Sequence, residues 1–95
     1  MSLEDYGVPI EDQGKLREYC KNAGKEDRVL LLQTAISSAC GLEICIYDSL
    51  VTGKGYDVIN RQRYIPAKKD DFYAYKRKTM AKYYEMLKLT GRWKY

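Results

Sequence analysis

The fold is decided by residues 42–51, which read LEICIYDSLV and lie between Gly41 and Gly53. Their apolar side chains fall on nearly all sides, and the composition of residues 43–48 would also suit a strand. A strand needs a partner, and no other segment of the chain reads clearly as one. The two glycines leave room for about three helical turns. We therefore predict a buried central helix at this position.

Two helices are predicted before the central one. The first begins near Pro9, a residue that suits a first helical turn, and stops between residues 22 and 24. The second opens with Glu26 and Asp27 and stops at Gly41. Helical spacing predicts two adjoining apolar stripes on this second helix. One consists of Val29, Leu32, Gln33, Ile36 and Cys40, and the other of Leu30, residues 36 and 37, and Cys40.

Two more helices are predicted after the central one. A short helix at 56–61 is followed by a break around Pro66, because the residue before a proline is pushed away from helical geometry. A long helix then runs from about residue 68 to 89, and Gly91 ends it. Its core-facing stripe is Phe72, Lys76, Thr79, Met80, Tyr83 and Leu87. The tail at 92–95 either docks its aromatic rings or frays.

Five helices and no convincing hairpin predict an all-α protein. The 95 residues suit one domain, a compact bundle with an acidic helical part at 4–55 and a basic part at 56–95. Residues 1–3 read as a possible expression leader and are left out of the predicted core. The longest apolar run is four residues, at 29–32, far short of a membrane span. With no leader peptide predicted either, we expect a cytoplasmic protein with no membrane contact.

Several kinds of chemistry are disfavoured by the composition. The chain has no histidine, which removes the commonest general base and the commonest zinc ligand. The three cysteines, Cys20, Cys40 and Cys45, are odd in number and irregularly spaced, so we expect small buried or half-buried apolar residues. Residues 53–55, Gly-Lys-Gly, are too short for a phosphate-binding loop. We predict that the protein is not an enzyme and uses no metal or cofactor.

The charge is strongly polarised along the chain. Residues 1–60 carry 6 basic and 10 acidic side chains, a net charge of −4, whereas residues 61–95 carry 11 basic and 3 acidic side chains, a net charge of +8. Most of the ten tyrosines also lie in the last forty residues. Interleaved cations and phenols suit a surface that contacts phosphates, because cations displace counterions and phenols donate hydrogen bonds.

The order of helix, turn and long basic helix predicts a helix-turn-helix outline, whose second helix would enter the major groove of double-stranded DNA. Arg61 and Arg63, in and beside the turn, would contact the phosphate backbone. Ala67 and the first turns of the second helix would lie nearest the bases or flanking phosphates. Asp70 and Asp71 are awkward there, since carboxylates repel phosphates. The candidate nucleic-acid-binding residues are Arg61, Arg63, Lys68, Lys69, Tyr73, Lys76, Arg77 and Lys78.

The chain resembles small proteins carried by prophages and conjugative transposons of Gram-positive bacteria. The resemblance rests on residues 4–9, EDYGVP, and on residues 71–78, DFYAYKRK. The C-terminal part is also distantly similar to region four of sigma factors and to the phage late-operon activators that resemble it. That likeness is carried by Gly53, Tyr56, Ile59, Ile65, Arg77 and Lys78. It implies a helix-turn-helix and a DNA-binding or transcription-associated role, although Ala67 stands where such turns usually carry a small polar cap.

A second interpretation stays open from the sequence. Exposed tyrosine and tryptophan rings beside arginine are also what protein-protein interfaces use. On that interpretation the chain is an interaction module, either a homodimer or a partner of the host polymerase, without nucleic-acid contact of its own.

Overall fold

The computed structural model describes residues 2–95. Within that range the chain forms helices and no strand, so the all-α prediction is confirmed. The helices are α1 (Ile10–Lys21), α2 (Lys25–Ser38), α3 (Glu43–Thr52), α4 (Tyr56–Gln62) and α5 (Lys69–Leu89). The radius of gyration is 12.4 Å, about the value expected for a compact chain of this length.

Helix α3 lies at the centre and packs against the other four helices. Ile46 and Leu50 are buried on it, and so is the polar side chain of Ser49. The Ser49 hydroxyl donates to the carbonyl of Lys54 at 2.7 Å, which satisfies a hydroxyl that burial removes from water. Gly53 ends the helix in the left-handed conformation, with φ of 77°. The prediction of a buried central helix is confirmed, and the strand alternative is wrong.

Neither predicted stripe of α2 is the face that the helix buries, although Leu30 packs partly buried against the core. Val29 and Ile36 are each 53% exposed, and Gln33 and Cys40 are also exposed. Leu31 is fully buried, with Thr34 and Ala35 one turn further along. Four consecutive apolar residues at 29–32 present an apolar side chain in every direction, so periodicity alone does not select the buried face.

The face that α2 buries carries small side chains. Ala35 and Ala39 are fully buried, and α2 packs against both α3 and α5. The Ser38 and Thr79 hydroxyl oxygens lie 2.8 Å apart across the contact with α5. Small residues let two helices approach closely, and this approach brings the two hydroxyls within hydrogen-bonding distance. The packing partner, and not the hydrophobic pattern, therefore sets the rotation of α2.

Helix α5 buries the stripe that the sequence predicts, except that Lys76 is only half-buried. Tyr84 is buried in addition, and its hydroxyl donates to Asp12 Oδ2 at 2.6 Å. This hydrogen bond, together with burial, raises the pKa of Tyr84 to about 12. The helix ends with φ of 72° at Gly91, where the Arg92 amide donates to the Leu87 carbonyl at 2.8 Å.

Both ends of the described chain pack against the core. Leu3 is buried, so leaving it out of the predicted core was wrong. At the other end, Trp93 stacks on Tyr19 with ring centroids 4.9 Å apart and meets the edge of Tyr84 at 5.0 Å. Arg92 forms an ion pair with Asp27 at 2.6 Å. Of the two outcomes left open for the tail, docking is the one observed.

The cysteines differ from the prediction at one position. Cys20 and Cys45 are buried, as expected, but Cys40 is exposed. Burial raises the pKa of the Cys20 thiol to about 12. Between residues 2 and 95 no group of three or more histidine, cysteine, aspartate or glutamate side chains is placed to hold a metal ion. No helix in the same range is both long enough and apolar enough to cross a bilayer.

Candidate nucleic-acid interface

The turn between α4 and α5 is held in place by contacts with the core. Ile65 is buried, and its amide donates to Asn60 Oδ1 at 3.2 Å. The Tyr56 hydroxyl donates to the carbonyl of Ala67 at 2.9 Å. Tyr64 lies on the outer side of the turn and is 82% exposed. The turn is thus a fixed loop with one aromatic ring presented to solvent.

Tyr73 has a structural role in this unit. Its hydroxyl accepts a hydrogen bond from the Tyr56 amide at 3.1 Å, which satisfies one of the unpaired amides at the start of α4. A Cβ atom at Gly55 would lie 2.9 Å from the same hydroxyl, so a side chain there would displace the Tyr73 hydroxyl. Phe72 is fully buried beside both tyrosine rings. The Tyr73 hydroxyl oxygen is therefore engaged by α4, and accepting this bond leaves the hydroxyl proton free to donate.

Three cations surround the turn, and we call them the turn cluster: Arg61, Arg63 and Lys68. All three are exposed. The Arg61 Nε donates to the backbone carbonyl of Asp57 at 3.2 Å, which orients its guanidinium. Lys69, the next predicted residue, forms an ion pair with the Asp57 carboxylate at 3.2 Å. Arg61 and Lys69 thus both contact Asp57, and Lys69 is partly neutralised by it.

The remaining predicted cations lie on two different sides of α5. Lys76 and Arg77 line a groove beside α1, together with Arg17. Lys78 lines a different groove, with Ser38 of α2. Residues two apart on a helix are separated by about 200°. The eight candidate residues therefore do not form a single face, contrary to what one interface would require.

Few of the C-terminal cations have an acidic partner. Of the 11 basic residues in 61–95, only Lys69 and Arg92 lie within 4 Å of a carboxylate in the part of the chain that the structure describes. The other nine basic residues have no carboxylate within 4 Å among the described residues. The net charge of +8 in this segment is therefore mostly not offset by ion pairs within the described chain.

Asp70 and Asp71 lie in the first turn of α5 and are exposed. Their carboxylates make no hydrogen bond or ion pair with any side chain in the described range 2–95. Their position at the positive end of a helix is favourable for the helix itself. For an approaching phosphate, however, they place negative charge where a recognition helix would first meet DNA.

Sequence reasoning missed the cations that α1 contributes. Arg17 and Lys21 lie one helical turn apart on α1 and line a small cavity with Lys76. Burial lowers the pKa of Lys76, and the charges of Arg17 and Lys21 lower it further. Both residues belong to the half of the chain with a net negative charge, and the sequence held no sign that they face α5.

Comparisons with known proteins add nothing to these surfaces: no protein-family model, curated protein or solved structure matches the chain.

Proposed function

We propose that the protein binds double-stranded DNA through the α4–α5 unit, mainly by contacts to phosphates. The observation that carries the proposal is the set of nine C-terminal cations without an acidic partner within the described residues. Cations that are not neutralised internally release counterions when they meet phosphates, and this release supplies most of the free energy of non-specific DNA binding.

The turn cluster is the centre of the proposed contact. Arg61 is exposed at the end of α4, and Arg63 and Lys68 are exposed on the following loop, which Ile65 and the Tyr56 hydroxyl hold in one conformation. A fixed loop loses little conformational entropy on binding, which favours affinity. The exposed ring of Tyr64 lies between these cations along the chain and would rest against a sugar or donate to a phosphate.

Asp70 and Asp71 make the first turn of α5 a poor place for contacts to phosphates. Carboxylates repel phosphate oxygens, although they can accept a hydrogen bond from the amino group of cytosine. We therefore place the phosphates along the turn cluster and expect modest sequence preference. The resemblance to prophage and transposon proteins supports a cytoplasmic, transcription-associated role in a mobile element.

The test is the salt dependence of binding to a short fluorescent duplex, measured by anisotropy. With three cations each contacting a phosphate, the logarithm of the binding constant should fall against the logarithm of salt concentration with a slope of about −3. The range from about 50 mM to about 200 mM salt covers the region in which counterion release is easily measured. Absence of binding at the lowest salt, or binding that salt does not weaken, would contradict the proposal.

A second candidate function is self-association through the outer face of α2. Val29 and Ile36 are each 53% exposed and lie two turns apart on that face. An apolar stripe that the monomer leaves in water suits an interface with a second copy. Sedimentation velocity at high micromolar concentration should then show a dimer, and Val29→Lys with Ile36→Lys should return it to a monomer with unchanged helix content. A wild-type monomer at that concentration would eliminate this candidate.

A further inference from the structure

A groove of about 550 Å³ between α1 and α5 gathers three cations. Arg17 comes from α1, and Lys76 and Arg77 come from α5. The other lining residues are Ser2, Leu3, Gln13, Tyr73 and Met80. An adjoining cavity of about 150 Å³ shares Arg17 and Lys76 and adds Lys21. No lining residue of either cavity is acidic.

The gathered cations have no internal counter-ion. None of the three lies within 4 Å of a carboxylate in the described part of the chain. Arg77 Nε is buried and makes no hydrogen bond to any described residue. A buried donor on a charged group is costly to leave unmatched, and like charges in one groove repel one another. The repulsion falls if an anion enters the groove, and the remaining guanidinium donors of Arg77 are then available to pair with it.

We infer that the α1–α5 groove binds the phosphoryl group of a ligand. Two arginines offer paired donors that match phosphate oxygens, and Lys76 adds a point charge on the same wall. Gln13 and Ser2 supply neutral polar atoms at the rim, and Met80 and Leu3 supply apolar surface. The volume lies within the range of about 300–1,000 Å³ that small-molecule sites occupy.

Depression of the Lys76 pKa agrees with this site. Burial is its main cause, with Arg17 and Lys21 as further contributors, so the ammonium is held in a place that disfavours its charge. A bound phosphate would place negative charge beside the Lys76 ammonium and so stabilise its charged form. The site stands apart from the centre of the proposed DNA contact, because none of its cations belongs to the turn cluster, although Lys76 and Arg77 are among the nine C-terminal cations unpaired within the described residues.

The phosphoryl group has two sources that the same chemistry would accept, a free phosphorylated molecule or the backbone of a nucleic acid. Inorganic pyrophosphate is the probe for the first source, titrated by calorimetry at fixed ionic strength with chloride as the reference anion. A short duplex is the probe for the second. We expect wild-type protein to bind pyrophosphate and to gain about 4 °C or more in Tm at saturation.

The variant is Arg17→Gln with Arg77→Gln, and Arg17→Gln alone guards against misfolding because Arg17 is exposed. The matched control is Lys82→Gln with Lys88→Gln, which removes the same charge from exposed positions on α5. The groove variant should weaken pyrophosphate binding at least about tenfold, which corresponds to one strong charge-assisted contact. The control should weaken it less than twofold. Equal losses in the variant and the control, in folded proteins, would overturn the inference.

The two probes separate the sources and the two proposals. Loss of pyrophosphate binding with duplex binding retained assigns the groove to a free phosphorylated molecule. Weakened duplex binding in the groove variant, beyond that of the control, assigns it to a backbone phosphate. A groove variant that changes neither titration overturns the site. Pyrophosphate binding by a wild-type protein that ignores the duplex would leave the site standing and remove the proposed function.

Discussion

Phe72→Ala should lower the free energy of unfolding by about 3–5 kcal/mol, a large part of the about 5–15 kcal/mol that such a domain possesses. Phe72 is 0% exposed, and its ring centroid lies 5.4 Å from that of Tyr56 and 5.3 Å from that of Tyr73. Truncation would leave a cavity between α4 and α5 and loosen the tyrosine that holds the start of α4. Urea unfolding followed by circular dichroism measures the change.

Two controls separate packing from general damage. Phe72→Leu keeps most of the apolar volume and should cost less than half as much. Tyr64→Ala removes an aromatic ring of similar size that is 82% exposed, and it should change stability by less than about 0.5 kcal/mol. If Phe72→Ala costs no more than Tyr64→Ala, the α4–α5 contact does not hold the turn as described.

The positions of the helices could be predicted from the sequence because glycine and proline act locally. Gly53 ends α3 and Gly91 ends α5, both with positive φ, and Pro66 lies in the break before α5. These residues constrain the backbone whatever packs around them. The central position of α3 could also be predicted, since a segment that is apolar on nearly all sides must be buried on nearly all sides.

The rotation of α2 could not be predicted, because it depends on partners distant in sequence. The residues at 29–32 are all apolar, so they favour no single face. What distinguishes the buried face is the small size of Ala35 and Ala39, together with the Ser38 hydroxyl that meets Thr79 of α5. Small size becomes informative only when the neighbouring helix is known.

Only the part of the candidate site that is formed by neighbours in the sequence could be predicted. The turn cluster follows from sequence neighbours, and the structure leaves Arg61, Arg63 and Lys68 exposed at the junction of α4 and α5. The α1–α5 groove was missed because Arg17 comes from the acidic half of the chain, far from Lys76 in sequence. The contact between the Tyr73 hydroxyl and the Tyr56 amide was missed for a related reason, because it joins two separate helices.

Reversing the turn cluster should weaken duplex binding at least about a hundredfold at low salt, the largest effect that we expect on the proposed function. The variant is Arg61→Glu, Arg63→Glu and Lys68→Glu, all at exposed positions, so the helix content and Tm should stay near the wild-type values. The salt slope should also fall by about three, because each lost phosphate contact removes roughly one. Anisotropy titrations across the salt range measure both quantities.

The control for this variant carries the same change in net charge at other exposed positions, Lys82→Glu, Lys88→Glu and Lys94→Glu. It should weaken binding far less, because a distant surface charge acts only through a field that salt screens over about 10 Å. Conversely, Asp70→Asn with Asp71→Asn should tighten binding a few-fold, since it removes repulsion beside the turn without adding a contact. Equal losses in the turn variant and its control would mean that net charge alone attracts the duplex. In that case the fixed turn between α4 and α5 would have no special part in binding, and the proposal would be wrong in its central claim.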